Sequence, residues 1–501
     1  MASSEVVRPL GLIETYSTSR HALGVYRGIA LACQYAVPAS LVESGSLETA
    51  VEQALARTVL RLPSLRVGIK DEASNKPSFV SVPALDLQEA IEWSTVSAAD
   101  LPELDAVILK LLEDRLVPLW EDVSTRPPWK LIVVCNTQQE VGASPLNIIF
   151  RTHHALCDGK STAVFQSVLL DELNSESGAP AELEDHILRF RDVPVLVPSQ
   201  EELVKFRISW PYFLKTLWHH FAPAWLRGTP SVIPWTGKPV SLEPHKLHLR
   251  IAEIPADLVP DLLAACRSHD ATLTALLHIL TLASLSRRLS AKVAPAFVSN
   301  TAVSTQPYAT VPEGLKLSET MTDMNTAVTH KFDPDVVSEL RAHLEGSGSS
   351  DVETYIWGLT TKLRANLKEE LSKITTDNIA GLLAWVSDWR KYLLEQIGKP
   401  RDSSWAVSNI GSMSISKAGS GEDKAGRWRI LKTIFTQPVA VIAPAFALNV
   451  SGVERGPITI VLNFQEGIVA DQVMDGITED LRVWLANFQQ TRSFSMISKK
   501  E

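Results

Sequence analysis

Apolar positions along the chain recur with two periods, and the switches between them define the elements. Leu47, Val51, Leu55, Val59 and Leu62 form one helical stripe that opens at Ser46 and stops at Pro63. A second stripe, Leu101, Leu104, Val107, Ile108 and Leu111, predicts a helix over Ala98 to Leu116. Gly28 to Val37, Leu65 to Ile69, Ser78 to Val82 and Trp129 to Cys135 read as strands, with a turn from Gln138 to Ser144. Leu146, Ile148, Ile149 and Phe150 form an almost unbroken apolar run, as in a strand covered on both faces. The helix expected over Ser161 to Asn174 carries Val164, Phe165, Val168 and Leu169 on one side. Strands and helices in this order predict an α/β sandwich of mixed sheet.

The texture changes after Ala179, where prolines at 180, 194, 198, 211, 223, 230, 234, 239 and 244 exclude a long regular element. Residues 191–245 are therefore expected to link an N-terminal subdomain, 1–190, to a C-terminal one, 246–501. Within the linker, Trp210, Leu214, Leu217, Trp218, Phe221 and Trp225 keep helical spacing beside Lys215, His219 and His220. A helix packed against the domains is favoured over a membrane-touching one, because Pro211 and Pro223 confine it to about three turns. The α/β texture then resumes. Leu247 to Ile254 and Val293 to Ala302 read as strands, and Ala256 to Arg267 and Thr272 to Arg288 as helices. Gly346 to Ser350 reads as a loop, followed by helices over Val352 to Leu371 and Asn378 to Ile397. Trp405 to Ile410, Trp428 to Thr436, Ala445 to Val453 and Pro457 to Phe464 form a strand series interrupted by a loop from Gly419 to Gly426. Asp471 opens a last helix with Val473, Ile477, Leu481, Trp484 and Phe488 on one face.

Composition narrows the class. A chain of 501 residues exceeds one ordinary core. With 45% apolar and 21% charged residues it is a globular, not a disordered, composition. A net charge of −9 gives no basis for binding nucleic acid. Cys33, Cys135, Cys157 and Cys266 lie far apart, with no C-x-x-C pair, which fits a reducing compartment and excludes a zinc or disulfide framework. Met1 to Pro9 lacks a secretory core, and the apolar Ile434 to Val450 stretch is broken by Pro438 and Pro444. A cytoplasmic location is the expectation.

One stretch concentrates the chemistry. Arg151-Thr-His-His-Ala-Leu-Cys-Asp-Gly159 places two histidines where the buried strand ends, with an aspartate and a glycine just beyond. A histidine titrates near neutrality, so it can take a proton from an attacking alcohol or amine and return it to a leaving group. Asp158 can orient such an imidazole or hold the loop, and Gly159 allows a sharp entry into the helix. Adjacent side chains of an extended strand point to opposite faces, so His153 and His154 are not expected to share a metal ion. No G-x-S-x-G serine elbow occurs, which argues against a serine hydrolase.

His153-His154-Ala-Leu-Cys-Asp158-Gly159 resembles the HHxxxDG signature of the chloramphenicol-acetyltransferase-like superfamily. Pro9 to His21, Leu23 to Tyr26, Pro63 to Val67, Trp235 to Gly237, Thr272 to Thr274 and Val407 to Gly411 are similar, in order, to landmarks of the fungal alcohol acetyltransferases. The D-F-G-W-G box of plant acyltransferases is absent. The resemblance implies two chloramphenicol-acetyltransferase-like subdomains with a channel between them, entered by acetyl-CoA from one mouth and by an alcohol or amine from the other. It implies a monomer that uses no metal and no covalent acyl-enzyme. His154 would then be the base, His153 would face the core or brace the loop, and Asp158 would turn into a structural ion pair. Ser408 and Asn409 become candidates for a channel wall or an oxyanion donor. In this superfamily an arginine from the second half often meets the motif aspartate, yet Val298 to Pro307 contains none. O-acetylation of a small apolar molecule is the leading expectation. N-acetylation, a longer or carrier-bound acyl donor, and a non-catalytic ligand-binding role are the alternatives.

Overall fold

Two mixed sheets organise the chain, with the strands apolar on both faces lying inside them and one-faced strands such as Asn325–Phe332 at an edge. The computed structural model describes residues 5–138, 145–221, 232–346, 349–414, 426–438 and 441–496. The expected turn after Gln138, Trp225 and most of the Gly419 to Gly426 loop lie outside these residues. Helix α1 (Leu12–Ala22), strand β1 (Ile29–Ala36) and helix α2 (Leu47–Arg61) open the chain. Strand β2 (Ile91–Val96), helix α3 (Leu101–Arg115), strands β3 (Trp129–Asn136) and β4 (Leu146–Thr152), and helix α4 (Gly159–Leu173) follow. Beyond helix α5 (Trp210–Phe221) come β5 (Leu247–Ile254), α6 (Leu273–Arg288), β6 (Phe297–Ser304), β7 (Asn325–Phe332) and α7 (Ser349–Ser372). The chain continues as β8 (Trp405–Met413), β9 (Arg429–Thr436), β10 (Phe446–Val453), β11 (Ile458–Gln465) and α8 (Asp471–Thr491), with shorter elements between those named.

The first sheet has the order β9-β1-β4-β3-β2, and the second β5-β11-β10-β8-β6-β7. Strand β9 comes from the C-terminal half, yet it pairs antiparallel with β1, from Arg429 opposite Ala36 to Thr436 opposite Ala30. The two halves of the chain are thus joined by a shared sheet as well as by a linker. Strand β4 lies inside that sheet and every one of its residues is buried. Phe150 stacks on Phe165 of α4 at 3.7 Å, while Ile149 faces the other way, into a cluster with Ile132, Ile434 and Val461. Burial of both faces explains the unbroken apolar run in its sequence.

The 191–245 segment is strapped to the C-terminal half. Val197, Leu203 and Val204 are buried with Leu317 and Met324, and isolated bridges join Arg207 to Thr376 and Trp235 to Phe297. On α5, Trp210, Leu214 and Trp218 are 74%, 58% and 51% exposed, and Phe213 packs on Trp385 with ring centroids 4.6 Å apart. The favoured expectation of a packed helix therefore describes only its Phe213 side. Among the described residues no helix is long and apolar enough to cross a membrane.

The single helix expected over Asn378 to Ile397 is replaced by two short pieces, Ile379–Trp385 and Trp389–Leu394. Gly381 packs so tightly that an added Cβ would lie 2.7 Å from Ile208 Cδ1. Asp388 then begins a new turn by accepting the Lys391 N–H at 2.9 Å. An N-cap in mid-pattern ends one helix and starts another.

Candidate active site

The site is built at the end of β4. Gly28, just before β1, has φ +126°, and a Cβ there would fall 2.5 Å from the Thr152 carbonyl oxygen. Only glycine lets the two backbones meet so closely where the pairing ends. His153 follows in an extended conformation, and its Nδ1 accepts the Ala155 N–H at 2.9 Å, capping a single 3-10 turn, His154–Leu156. Asp158 then caps α4 by accepting the Ser161 N–H at 2.9 Å. Two caps within six residues hold His154 at a fixed point between strand and helix.

The second half of the chain closes over this turn through residues 322–324. The Asp158 N–H donates to the Thr322 carbonyl at 2.8 Å, and Asp158 Oδ2 accepts the Met324 N–H at 3.2 Å. The Ser161 hydroxyl donates to the Thr322 carbonyl and accepts the Thr322 N–H, each at 2.9 Å. Asp158 is therefore turned away from His154 and onto backbone amides. The Ser161 and Met324 N–H groups and the Ser161 side chain serve it, in place of the arginine that the resemblance implies. Burial, and next the neighbouring Asp323, push its carboxyl up to about 6. Gly159 opens α4 without a left-handed φ. Its need is space: an added Cβ would fall 2.7 Å from Phe435 Cζ and 2.8 Å from Ile410 Cγ2.

The two histidines separate in environment. The His153 side chain is 1% exposed and that of His154 14%. His154 Nδ1 is buried and lies 3.4 Å from Asp323 Oδ1, so the ring's remaining exposure belongs to its other atoms. Its ring meets that of Tyr26 edge-on at 5.5 Å, and the Arg20 guanidinium lies over Tyr26 at 4.3 Å. His153 instead faces Glu72, whose Oε1 lies 3.4 Å from His153 Nε2 and 2.7 Å from His21 Nδ1. Burial drives the His153 ring down to about 4, so it is neutral. Burial would raise Glu72, but hydrogen bonds from His153 and His21 outweigh it and hold the carboxyl at about 2.

Among the described residues, His21, Glu72 and His153 are the group whose ligand atoms lie close enough to hold a metal ion, all within 4.8 Å. The backbone argues against that use. The Trp120 N–H donates to His21 Nε2 at 3.0 Å, and the Ala155 N–H donates to His153 Nδ1. A ring that accepts an N–H at one nitrogen carries its hydrogen on the other, which here faces Glu72, where a metal would require a lone pair. The arrangement is a hydrogen-bonded lock behind the motif, not a ligand set.

With this geometry in view, comparison with known proteins places the chain. The model of the alcohol acetyltransferase family matches residues 9–482. A probable alcohol acetyltransferase of Fusarium pseudograminearum is 29% identical over 96% of this chain and 95% of its own. The chain belongs to the alcohol acetyltransferase family. Among solved structures, a trichothecene 15-O-acetyltransferase from Fusarium sporotrichioides superposes with a TM-score of 0.67 at 12% identity, covering 95% of this chain and 94% of that one. The first condensation domain of the CDA synthetase gives 0.58 at 15% identity, with 98% of each chain covered. The fold is the α/β fold that these proteins share, and the protein is an acyltransferase.

In this alcohol acetyltransferase family member, the sequence candidates on β8 take different places. Asn409 is committed at both ends, its amide donating to Thr274 Oγ1 at 3.1 Å and its oxygen accepting the Gly411 N–H at 2.9 Å. Ser408 lies opposite Asn449 of β10. Asn449 Oδ1 accepts from Gln437 Nε2 at 2.8 Å, and Gln437 Oε1 accepts the Tyr26 hydroxyl at 2.8 Å. A polar chain thus runs from the Tyr26 ring beside His154 to the register of Ser408. Sequence reading missed Tyr26, Gln437 and Asp323. Asp323 was hidden as a lone acid in Met321-Thr-Asp-Met324, all four residues buried; an acid enclosed by methionines was its faint signal. A cleft of about 1250 Å³ is lined by Gln34, Pro145, Asp105, Glu253 and Lys432 among others. It opens where β4 begins, seven residues or roughly 20 Å from the His154 end.

Proposed function

We propose that this protein transfers an acetyl group from acetyl-CoA to the hydroxyl of a small, fairly apolar molecule, with His154 as general base. The carrying observation is the ring of His154, whose buried Nδ1 lies 3.4 Å from Asp323 Oδ1 while the rest of the ring keeps its exposure. The names of the relatives support the reading, one being a probable alcohol acetyltransferase and the other an O-acetyltransferase. In the reaction, His154 Nε2 takes the acceptor's hydroxyl proton as its oxygen bonds to the thioester carbonyl carbon. The carbonyl pair moves onto oxygen. As that pair returns, the C–S bond breaks, and the proton passes from Nε2 to sulfur, leaving an ester and the CoA thiol. Base catalysis of this kind contributes roughly a hundredfold to ten-thousandfold.

Ser408 is the candidate donor to the developing oxyanion, a role worth about 3 kcal/mol in comparable enzymes. Asn409, with both ends engaged, holds the strand that carries it. The missing arginine does not argue for a retired enzyme, because Asp158 has its own amide donors and the loop is braced. The reaction as proposed uses no metal or cofactor, and the chain acts as a cytoplasmic monomer. Purified protein incubated with acetyl-CoA and a panel of alcohols and amines, with release of free thiol followed, tests the assignment. Release that depends on an alcohol supports it. Release only with amines, only with longer acyl-CoA, or not at all overturns it.

A further inference from the structure

We propose that Asp323 is a positioning residue for His154, holding the imidazole in the form whose Nε2 carries a free lone pair. The inference rests on the proposed role of His154 as base and deepens it. Two buried carboxylates approach the motif, and they differ in what their oxygens meet. Asp158 spends its oxygens on the Ser161 and Met324 amides. Asp323, 3% exposed, keeps Oδ1 3.4 Å from His154 Nδ1. A carboxylate accepts hydrogen bonds and cannot donate them, so it favours the tautomer with hydrogen on Nδ1. That tautomer leaves Nε2 able to take a proton.

The carboxylate is itself held from two directions. Ser17 of α1 donates its hydroxyl to Asp323 Oδ2 at 2.9 Å, and the Asn325 amide donates to Oδ1 at 2.6 Å. Arg20, one turn along α1, donates to Ser17 Oγ at 3.2 Å. A cation therefore lies one hydroxyl away from the acid without touching the imidazole. When His154 takes the acceptor's proton it becomes an imidazolium, and the adjacent anion stabilises that charge as it forms. At 3.4 Å the pair is longer than a finished hydrogen bond, and catalytic contacts commonly shorten once substrate is bound. Asp323 arrives on the segment just before β7, whereas His154 follows β4, so the pair exists only when the two halves of the chain are docked. Nothing in the HHxxxDG pattern itself supplies this acid.

Asp323→Asn is the direct test, since the amide keeps the shape and, with its oxygen still accepting from Ser17, offers His154 Nδ1 an N–H in place of the oxygen that Asn325 also meets. We expect kcat to fall about a hundredfold or more, with KM for acetyl-CoA changed by less than about threefold. Ser17→Ala, which loosens the carboxylate without removing it, should cost about threefold to tenfold in kcat. A second readout needs no turnover: ¹⁵N-histidine spectra of the ligand-free protein, with the His154 signal assigned by its loss in His154→Ala. The wild type should show Nδ1 protonated and Nε2 free above neutral pH, and Asp323→Asn should reverse this. Unchanged spectra in Asp323→Asn, or kcat within threefold of wild type, would overturn the proposal. If no acceptor is ever acetylated, the reading of function fails while the spectra still decide the role of Asp323. If Asp323→Asn does not fold, the wild-type tautomer and the Ser17→Ala kinetics decide it.

Discussion

The protein buries two clusters of histidine, one in each half, and they are built for opposite ends. In the C-terminal half, His278 of α6 is fully enclosed. Its Nδ1 accepts from the Trp405 indole and lies 3.0 Å from Ser299 Oγ, and its Nε2 is 2.9 Å from Thr301 Oγ1, which in turn meets His330 Nε2 at 2.7 Å. No carboxylate appears among these partners. Burial pushes His278 well below the ordinary histidine value and His330 down to about 4. In the N-terminal half, His153 is equally enclosed, but its pair of nitrogens meets a main-chain amide and Glu72, and its neighbour His154 faces Asp323 with part of its ring still open. Satisfied on all sides, an imidazole is a core side chain that joins α6 to the sheet. Left with one accessible edge and an acid behind it, the same ring becomes a candidate base.

Substitutions can break that contrast. His154→Ala should lower kcat by roughly a hundredfold to ten-thousandfold with little change in thermal midpoint, measured by thiol release and calorimetry. Retained turnover would put the open histidine in the same class as the closed one. His278→Leu should do the reverse. It strands the Trp405 indole and two hydroxyls, so unfolding free energy should drop by about 2–4 kcal/mol in denaturant titrations while kcat is kept.

Acid should expose what the clusters have in common. His153 and His330 are held at about 4 in the folded protein, against 6.5 for a free ring. The unfolded chain therefore binds more protons as pH falls from 6.5 to 4, and folding stability is lost across that window, on the order of 3 kcal/mol for a fully buried ring. Thermal midpoints measured through this range should decline, and a flat profile would contradict the burial of these rings as neutral groups. The smallest expected effect is that of Gly159→Ala. Its Cβ would press on Phe435 and Ile410, both from the C-terminal half, costing about 1–3 kcal/mol in unfolding experiments. Because those contacts seat the turn beneath His154, kcat should fall with stability, unlike in His278→Leu.

The elements were largely legible because most buried faces follow a strict period. Strand β4 and helix α4 are where the apolar pattern puts them, within about two residues at each end. The pattern over Asn378 to Ile397 misled, since Gly381 and the capping Asp388 act through packing and hydrogen bonds that periodicity does not register. In the site, residues 153–159 could be singled out because they are contiguous and chemically unusual. Asp323 could not, because a single acid has no period and no motif. Nor could Gln437, whose meeting with the Tyr26 hydroxyl depends on β9 having joined the sheet of the other half.

By itself, then, the sequence determined the family, the alternation of strands and helices, and the histidine pair at the end of a buried strand. These are local: a motif is read within a few residues, and burial imprints its period on the segment that is buried. Only the tertiary structure decided which acid stands behind which histidine. Asp158, close in sequence, turns onto amides to brace the loop, while Asp323, remote in sequence, is brought beside His154 when residues 322–324 close over the motif. Hydrogen bonds depend on distance in space, and the chain records only distance along itself.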